Sequence, residues 1–335
     1  MLIAASGGGH TEFAIAIAEE LGRLGVNYAF VVPRGDELTL RRLAAALGRV
    51  EAREVEKPLN PQERLYKVVW RLPAALLESL ARVRGAGAFV CTGSNHGVLP
   101  ALVASFLRGS RVVCVEDFYR IYRRSRSVSL VSELLGAPVL LHWRSQRRLY
   151  AGRGLYVGPI CGRRRYEPRD EGYVFFTMGT MGHRALARLL ARVEGLPGYG
   201  VVVQSGRIDP EYIRRRHPSW RVFRYDPDLD RWLAGASLVV AHQGVTAIKA
   251  SQAYGKPLVI AFNPDIPLAG GRDDARAVAD EVNATFVGPS ELEGYLGRPE
   301  DFVDLLLEAA ERKPARHPNG AALAARAIAS MISGR

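Results

Sequence analysis

Cysteine is scarce and scattered: Cys91, Cys114 and Cys161 are the only three in the chain. An odd number at wide spacing excludes a disulfide framework and offers no zinc-ligand pattern. Cys91 and Cys114 fall in strand-like runs, where buried free thiols are common. Long apolar stretches are missing too. None reaches the roughly 18 residues that a membrane-spanning helix needs, and Met1–Ser6 lacks the basic lead of a secretory signal. The expectation is a cytoplasmic protein that meets a membrane only from its surface. Acidic residues are in short supply, and unevenly so. The net charge is +12, with 26 Lys and Arg against 15 Asp and Glu in residues 1–170, and 20 against 19 in residues 171–335. A basic excess confined to one half points to an anionic partner there: lipid phosphate, anionic membrane or nucleic acid.

Alternation is what the sequence does show. Apolar strand-like runs at Leu2–Ala5, Tyr28–Val32, Val50–Val55, Ala88–Cys91, Arg111–Glu116 and Pro138–His142 are separated by helix-length amphipathic segments. One of these is Glu12–Leu24, with Phe13, Ile17, Leu21 and Leu24 on one face. The rhythm resumes at Tyr173–Thr177, Gly200–Gln204, Arg221–Arg224, Leu238–Ala241 and Leu258–Phe262. Continuous apolar strands between helices imply parallel strands buried on both faces. At 335 residues the chain suits two α/β domains of roughly 150 each. The expected division is a first domain over 1–160, a polar linker over 161–172 and a second domain over 173–335. An Ala-rich helix at about Gly320–Ile332 is placed to pack back on the first domain.

The polar loops all follow strands and precede helices, at the edge where α/β sheets bind ligands. In the first half these are Ser6-Gly7-Gly8-Gly9-His10-Thr11, Thr92-Gly93-Ser94-Asn95-His96-Gly97 and Glu116-Asp117-Phe118-Tyr119-Arg120, the last followed by Arg123, Arg124 and Arg126. Glycines allow a sharp turn and close approach to a ligand, and a helix N-terminus favours an anion. The first loop has neither dinucleotide-fingerprint spacing nor the Lys-Ser/Thr ending of a P-loop. His10 at a strand's C-terminal edge is suited to act as a general base, and Glu116 reaches the same crevice. Gly8, Gly9, Thr11, Ser94, Asn95, His96, Arg120 and Arg123 are the candidate acceptor and phosphate contacts, arginine being apt for phosphate. Ser94 or Asn95 equally suits a helix cap, and the arginines equally suit a solvated loop.

The second half carries Met178-Gly179-Thr180-Met181-Gly182-His183, Gln204-Ser205-Gly206-Arg207 and His242-Gln243-Gly244-Val245-Thr246. Three such loops on one edge indicate a nucleotide pocket, where Gly244 and Thr246 offer an N–H and a hydroxyl to a diphosphate. A further stretch, Arg64–Leu72, has a core-type face of Leu65, Val68, Val69 and Leu72. Beside it lie Tyr66 and Trp70 with Lys67 and Arg71, a pairing that suits a membrane interface.

In the order of these motifs the chain resembles the two-subunit UDP-GlcNAc transferase of asparagine-linked glycosylation, with both subunits fused. Residues 1–160 look like its membrane-associated, acceptor-side subunit through Ser6–Thr11, Thr92–Pro100, Val115–Arg120, Ser127–Leu134, Leu141-His142-Trp143 and Tyr156–Pro159. Residues 173–290 look like the nucleotide-binding subunit through Phe176–Thr180, Val203–Gly206, Ser237–Gly244 and Gly255–Leu258. The bacterial transferase that completes the lipid-linked peptidoglycan precursor is a more distant relative of both. The resemblance implies a GT-B fold, two Rossmann-like domains with parallel sheets facing a cleft, and inverting transfer with no metal and no cofactor. It implies His10 as base with Glu116 as rival or helper. Gly179, Thr180, Gln204, His242, Gly244 and Thr246 would hold uridine diphosphate, with Ser205 and Gln243 in the same loops. A polyprenyl- or dolichyl-phosphate-linked acceptor would meet the basic half. Two positions depart from the family. Its ribose-binding Glu aligns with Ala250, beside Lys249. Its donor-closing Asn-His-Gln segment aligns with Gly270–Asp274, where Asp273 or Asp274 would substitute.

Two other readings share these features. A nucleotide-sugar 2-epimerase has the same architecture but needs acidic residues on both faces of the site, and few are present. A non-catalytic nucleotide or nucleic-acid binder would use the basic half, yet no recognisable nucleic-acid module accompanies the arginines.

Overall fold

The computed structural model describes residues 1–59, 67–266 and 270–333. The chain divides into two units, Met1–Gly162 with His317–Arg335, and Arg163–Arg316.

The first unit runs Leu2–Ala4 (β1), Gly8–Arg23 (α1), Ala29–Pro33 (β2), Glu37–Leu47 (α2), Ala52–Val55 (β3), Lys67–Arg82 (α3), Ala88–Cys91 (β4), Val98–Arg108 (α4), Arg111–Val115 (β5), Arg126–Leu135 (α5), Val139–Leu141 (β6) and Gly154–Tyr156 (β7). Its seven strands are all parallel, in the order β3-β2-β1-β4-β5-β6-β7. Because side chains alternate across a strand, Leu2, Ala4, Val31, Phe89 and Cys91 line one face with residues of α4 and α5. Ile3, Phe30, Val32 and Val90 are buried on the other face. Cys91 and Cys114 are register partners and buried free thiols.

The second unit runs Tyr173–Thr177 (β8), Arg184–Leu190 (α6), Gly200–Gln204 (β9), Pro210–Arg214 (α7), Arg221–Phe223 (β10), Leu229–Gly235 (α8), Leu238–Ala241 (β11), Val245–Gln252 (α9), Leu258–Ala261 (β12), Arg272–Val282 (α10), Thr285–Val287 (β13), Pro289–Tyr295 (α11) and Pro299–Ala310 (α12). Its six parallel strands are ordered β10-β9-β8-β11-β12-β13. Both sheets are Rossmann-like. The last helix, Gly320–Ser333 (α13), packs on α1 of the first unit, burying Ala321, Ala324, Ala325 and Ile328.

Four details differ from the sequence reading. α1 starts at Gly8, so His10 and Thr11 lie inside its first turns rather than in a loop. Leu24 is its C-cap and 48% exposed, outside the apolar stripe. The edge strands β7 and β13 have no apolar run to announce them: each has three residues, and Leu155 is exposed. The segment read as a linker is tied to the second unit, with Arg169 N–H on Ala234 O (2.8 Å) and Glu171 N–H on Gly235 O (2.8 Å).

Candidate functional site

In the first sheet the strand order reverses between β1 and β4, which opens the crevice where such folds bind ligands. The loops after β1, β4 and β5 meet there. His10 Nδ1 lies 2.6 Å from the Thr92 carbonyl oxygen. A carbonyl only accepts, so Nδ1 carries the proton and Nε2 keeps the lone pair. Thr92 is itself fixed by its hydroxyl, which donates to Ala4 O at 2.8 Å. Gly93 makes the close approach possible: at φ +94° it sits where a Cβ would lie 3.1 Å from Val115 O and 3.3 Å from His10 Cε1. Burial lowers the His10 pKa below 6.5, against the pull of Asp117 and the Thr92 carbonyl, and Lys57 and Arg120 add to the lowering. The ring is therefore neutral at pH 7 and basic at Nε2.

The helix start beside it is uncapped. Gly7 makes no side-chain cap, and no acidic residue stands in the first turn of α1. Arg42 braces the loop, with Nη1 on Gly8 O at 2.6 Å and Nη2 on Glu12 at 3.1 Å. Lys57, two residues beyond β3, donates to Ser6 Oγ at 3.2 Å. The sequence reading named neither Lys57 nor Asp117 as functional, though both follow strands at this edge.

Several expected contacts turn inward. Glu116 is fully buried, and its carboxylate accepts from the Tyr150 hydroxyl, Asp117 N–H (2.8 Å) and Ser125 N–H (3.1 Å). Burial raises its pKa to about 7, above the usual carboxylate range. Through these bonds it holds its own loop. Thr11 is buried against Thr39, the hydroxyls 3.3 Å apart, because it sits one residue (about 100°) round the helix from His10. Ser94 Oγ accepts His96 N–H at 3.3 Å, a local cap, and Asn95 donates to Leu59 O at 2.8 Å. His96 is buried, held neutral by desolvation with a pKa near 4, and neither ring nitrogen meets a hydrogen-bond partner among the described residues. Gly8, Gly9 and Arg120 remain partly or fully exposed. Arg123 is exposed too, in an open recess with Tyr122, Arg124 and Arg126.

In the second sheet the order reverses between β8 and β11. His242 lies against Gly179, where any Cβ would collide with its Nε2. His242 Nδ1 is 2.8 Å from Gln243 O, so here too the proton is on Nδ1. Gly206, at φ +63°, presses on the first loop: a Cβ would strike Gly179 O and lie 2.7 Å from Gly182 N. Gly244 is the N-cap of α9 and supplies no side-chain cap; Thr246 is partly exposed in that first turn. Thr180 is exposed, and Gln204 is buried with its Oε1 unpartnered among the described residues. These residues form an edge that can receive an anion with hydrogen-bonding groups.

Other donor candidates serve the scaffold. The Ser205 hydroxyl donates to Ile208 O at 2.8 Å. Gln243 is fully buried in a reciprocal pair with the Asn263 backbone, both bonds 2.8 Å, and Asn263 Nδ2 donates to Gly182 O at 2.9 Å. Asp274 Oδ2 accepts Gly271 N–H at 3.2 Å, capping its own helix, while Asp273 is exposed one residue earlier. Ala250 faces the core, and the largely buried Lys249 side chain pairs with Asp230 at 2.9 Å. Among the proposed membrane contacts Trp70 is 82% exposed, and Arg71 lies 3.7 Å from Glu56. Tyr66 and the Lys67 side chain lie outside the described residues.

Residues 173–331 match the glycosyltransferase family 28 C-terminal domain. No curated protein matches the chain in sequence. Among solved structures, MurG of Acinetobacter baumannii is 15% identical with a TM-score of 0.68, over 99% of both chains. The calicheamicin glycosyltransferase CalG4 is 17% identical at 0.62, over 100% of this chain and 98% of its own. The UDP-GlcNAc 2-epimerase of Neisseria meningitidis, bound to UDP-GlcNAc, is 12% identical at 0.61, over 100% of both. At these identities the likeness is one of fold, with two Rossmann-like units as in the GT-B class. Residues 173–331 add a sequence match to the C-terminal domain of a glycosyltransferase family.

Proposed function

We propose that this chain, a glycosyltransferase of the GT-B type, moves a sugar, GlcNAc as the first candidate, from a UDP-sugar to a polyprenyl-phosphate-linked acceptor at a membrane surface, with inversion. The observation that carries the reading is His10. It is neutral, its tautomer leaves Nε2 basic, and it stands beside an uncapped helix start at the switch point of a basic unit. In this reading Nε2 takes the proton of the acceptor hydroxyl as its oxygen forms the new bond to the anomeric carbon. The bond to the diphosphate oxygen breaks, and the electron pair leaves with UDP. Asp117 steadies the imidazolium that results. On the second unit Gly179, Thr180, Gly244 and Thr246 receive the diphosphate, whose developing charge is met by the first turn of α9. The Gln204 oxygen supplies an acceptor for a donor N–H or O–H.

The acceptor's phosphate meets Gly8, Gly9, Lys57 and Arg120. A membrane setting is supported by exposed apolar side chains on three consecutively packed helices: Trp70 and Leu77 of α3, Leu107 of α4, and Leu130 and Leu134 of α5. Arg123, Arg124 and Arg126 border them. No helix among the described residues is long and apolar enough to cross a membrane.

The experiment is a thermal-shift series with UDP, UDP-GlcNAc, other UDP-sugars and GDP- or dTDP-sugars, followed by transfer to a polyprenyl-pyrophosphate sugar. A ligand bound only by the folded state raises the Tm. A selective shift with one UDP-sugar, then transfer from it, is the expected result. Conversion of UDP-GlcNAc to its 2-epimer without acceptor would put the epimerase reading in its place. Silence with every nucleotide would remove the donor site.

A further inference from the structure

Leu141-His142-Trp143, one of the segments that carry the sequence resemblance, has no task in the reaction above. We propose that the segment from His142 to Tyr150 is a positioning cradle for the loop Glu116–Ile121, and that Gln146 at its centre fixes the backbone of Asp117 and Arg120 beside the helix that bears His10. The proposal rests on the reading of His10 as base, but its test does not require turnover.

The loop after β5 is held carbonyl by carbonyl. His142 Nε2 donates to Glu116 O at 2.7 Å, and Ile160 N–H on His142 Nδ1 (3.1 Å) fixes that tautomer. Gln146 Nε2 donates to Asp117 O (2.8 Å) and Arg120 O (3.2 Å). Trp143 Nε1 donates to Phe118 O at 2.8 Å, and Arg148 reaches Ile121 O at 3.4 Å. The Tyr150 hydroxyl takes the Glu116 carboxylate. Gln146 is wholly buried, and its amide is saturated: Oε1 accepts His142 N–H (2.8 Å) and Trp143 N–H (3.1 Å), while both Nε2 hydrogens go to the loop. One side chain thus joins the start of the cradle to the middle of the loop.

Ring packing ties the loop to the helix that bears the base. Phe118 lies 4.1 Å from the His142 ring and 5.0 Å from Phe13, which stands three residues after His10 on α1 with the rings 6.2 Å apart. A buried loop needs its carbonyls satisfied in any case. Here the satisfying groups come from one segment, and the loop they fix presents the acid and the cation that act on His10. The charges acting on His10 are Asp117 and Arg120 from this loop and Lys57 from beyond β3. Of these only Asp117 supports the imidazolium.

The test is NMR titration of His10, with kcat/KM against pH alongside, in the full chain. The variants are Gln146→Leu, Trp143→Phe and the reference Asp117→Asn. With the cradle broken Asp117 drifts away, so His10 titrates lower by about half a pH unit. Where turnover is measured, the acid limb moves the same way and kcat falls about tenfold or more, with the donor KM unchanged. Gln146→Leu added to Asp117→Asn brings no further drop. Trp143→Phe keeps the ring packing and removes one donor, so it carries the measurement if Gln146→Leu does not fold. A lower Tm with His10 titrating as in the parent would overturn the proposal and leave the segment a purely structural prop. A shifted titration with unaltered transfer would keep the cradle and remove His10 as base, so the two readings fail separately.

Discussion

At the scale of the residue, the two site histidines are defined by what their Nδ1 atoms touch. Thr92 O and Gln243 O each demand a proton, which leaves Nε2 of His10 and His242 as acceptors. For His10 that is the difference between a base and a bystander. His10→Ala is expected to lower transfer by about 10²- to 10⁴-fold while the thermal shift with the UDP-sugar persists, because the donor loops belong to the other unit. Full transfer by that variant would remove the assignment. The sequence placed His10, both glycine loops and the donor-edge loops, since Gly and His after a strand are legible as types. It did not show which neighbours point inward. Thr11, Ser205, Gln243 and Glu116 sit in the same motifs yet bond to the scaffold, because helix phase and reciprocal backbone bonds are set by three-dimensional context that a motif does not carry.

At the scale of the element, the loop after β5 and its surroundings join opposed protonation equilibria. Glu116 has a folded pKa of about 7 against an ordinary 4.5, so its contribution to stability is full below about 4.5 and is lost as pH rises through 7. His96 and His142 have folded values of about 4 against 6.5; theirs is present above 6.5 and lost as pH falls through 4. Between 4.5 and 6.5 unfolding lets His96 and His142 take up the protons that the fold denies them, while Glu116 gives up the one that the fold makes it keep. Acid therefore destabilises the unit, and Glu116 softens the slope. Glu116→Gln removes that opposition, and urea unfolding from about pH 7.5 down to 4.5 should show the variant losing roughly 2–3 kcal/mol more than the parent. Equal losses would mean that Glu116 stays ionised when folded. The strand elements themselves were readable wherever both faces are buried. β7 and β13 were not, since a three-residue edge strand takes its identity from the neighbour it pairs with rather than from its own composition.

At the scale of the whole molecule, the basic half and the exposed apolar side chains belong to the same unit. Cosedimentation with vesicles containing anionic lipid is expected to exceed that with neutral vesicles and to weaken with salt. Trp70→Ser should reduce binding to both kinds, and the Arg123→Ala, Arg126→Ala pair to the anionic kind alone. Binding that ignores lipid charge would separate the arginines from the membrane. The unit that carries these features is also closed late. Its sheet is complete by Tyr156, yet α13 covers α1 only when residues 320–333 arrive, after the whole second unit has been made. Gly158 and Gly320 meet where the chain returns, too close for a side chain on either. The second unit is thus an insertion within the first. During synthesis the first unit is begun before the second and finished after it, and the apolar flank of α1 stays open until α13 has been made. That interval exposes the nascent protein to misassembly and makes α13 a checkpoint on the closure of the first unit.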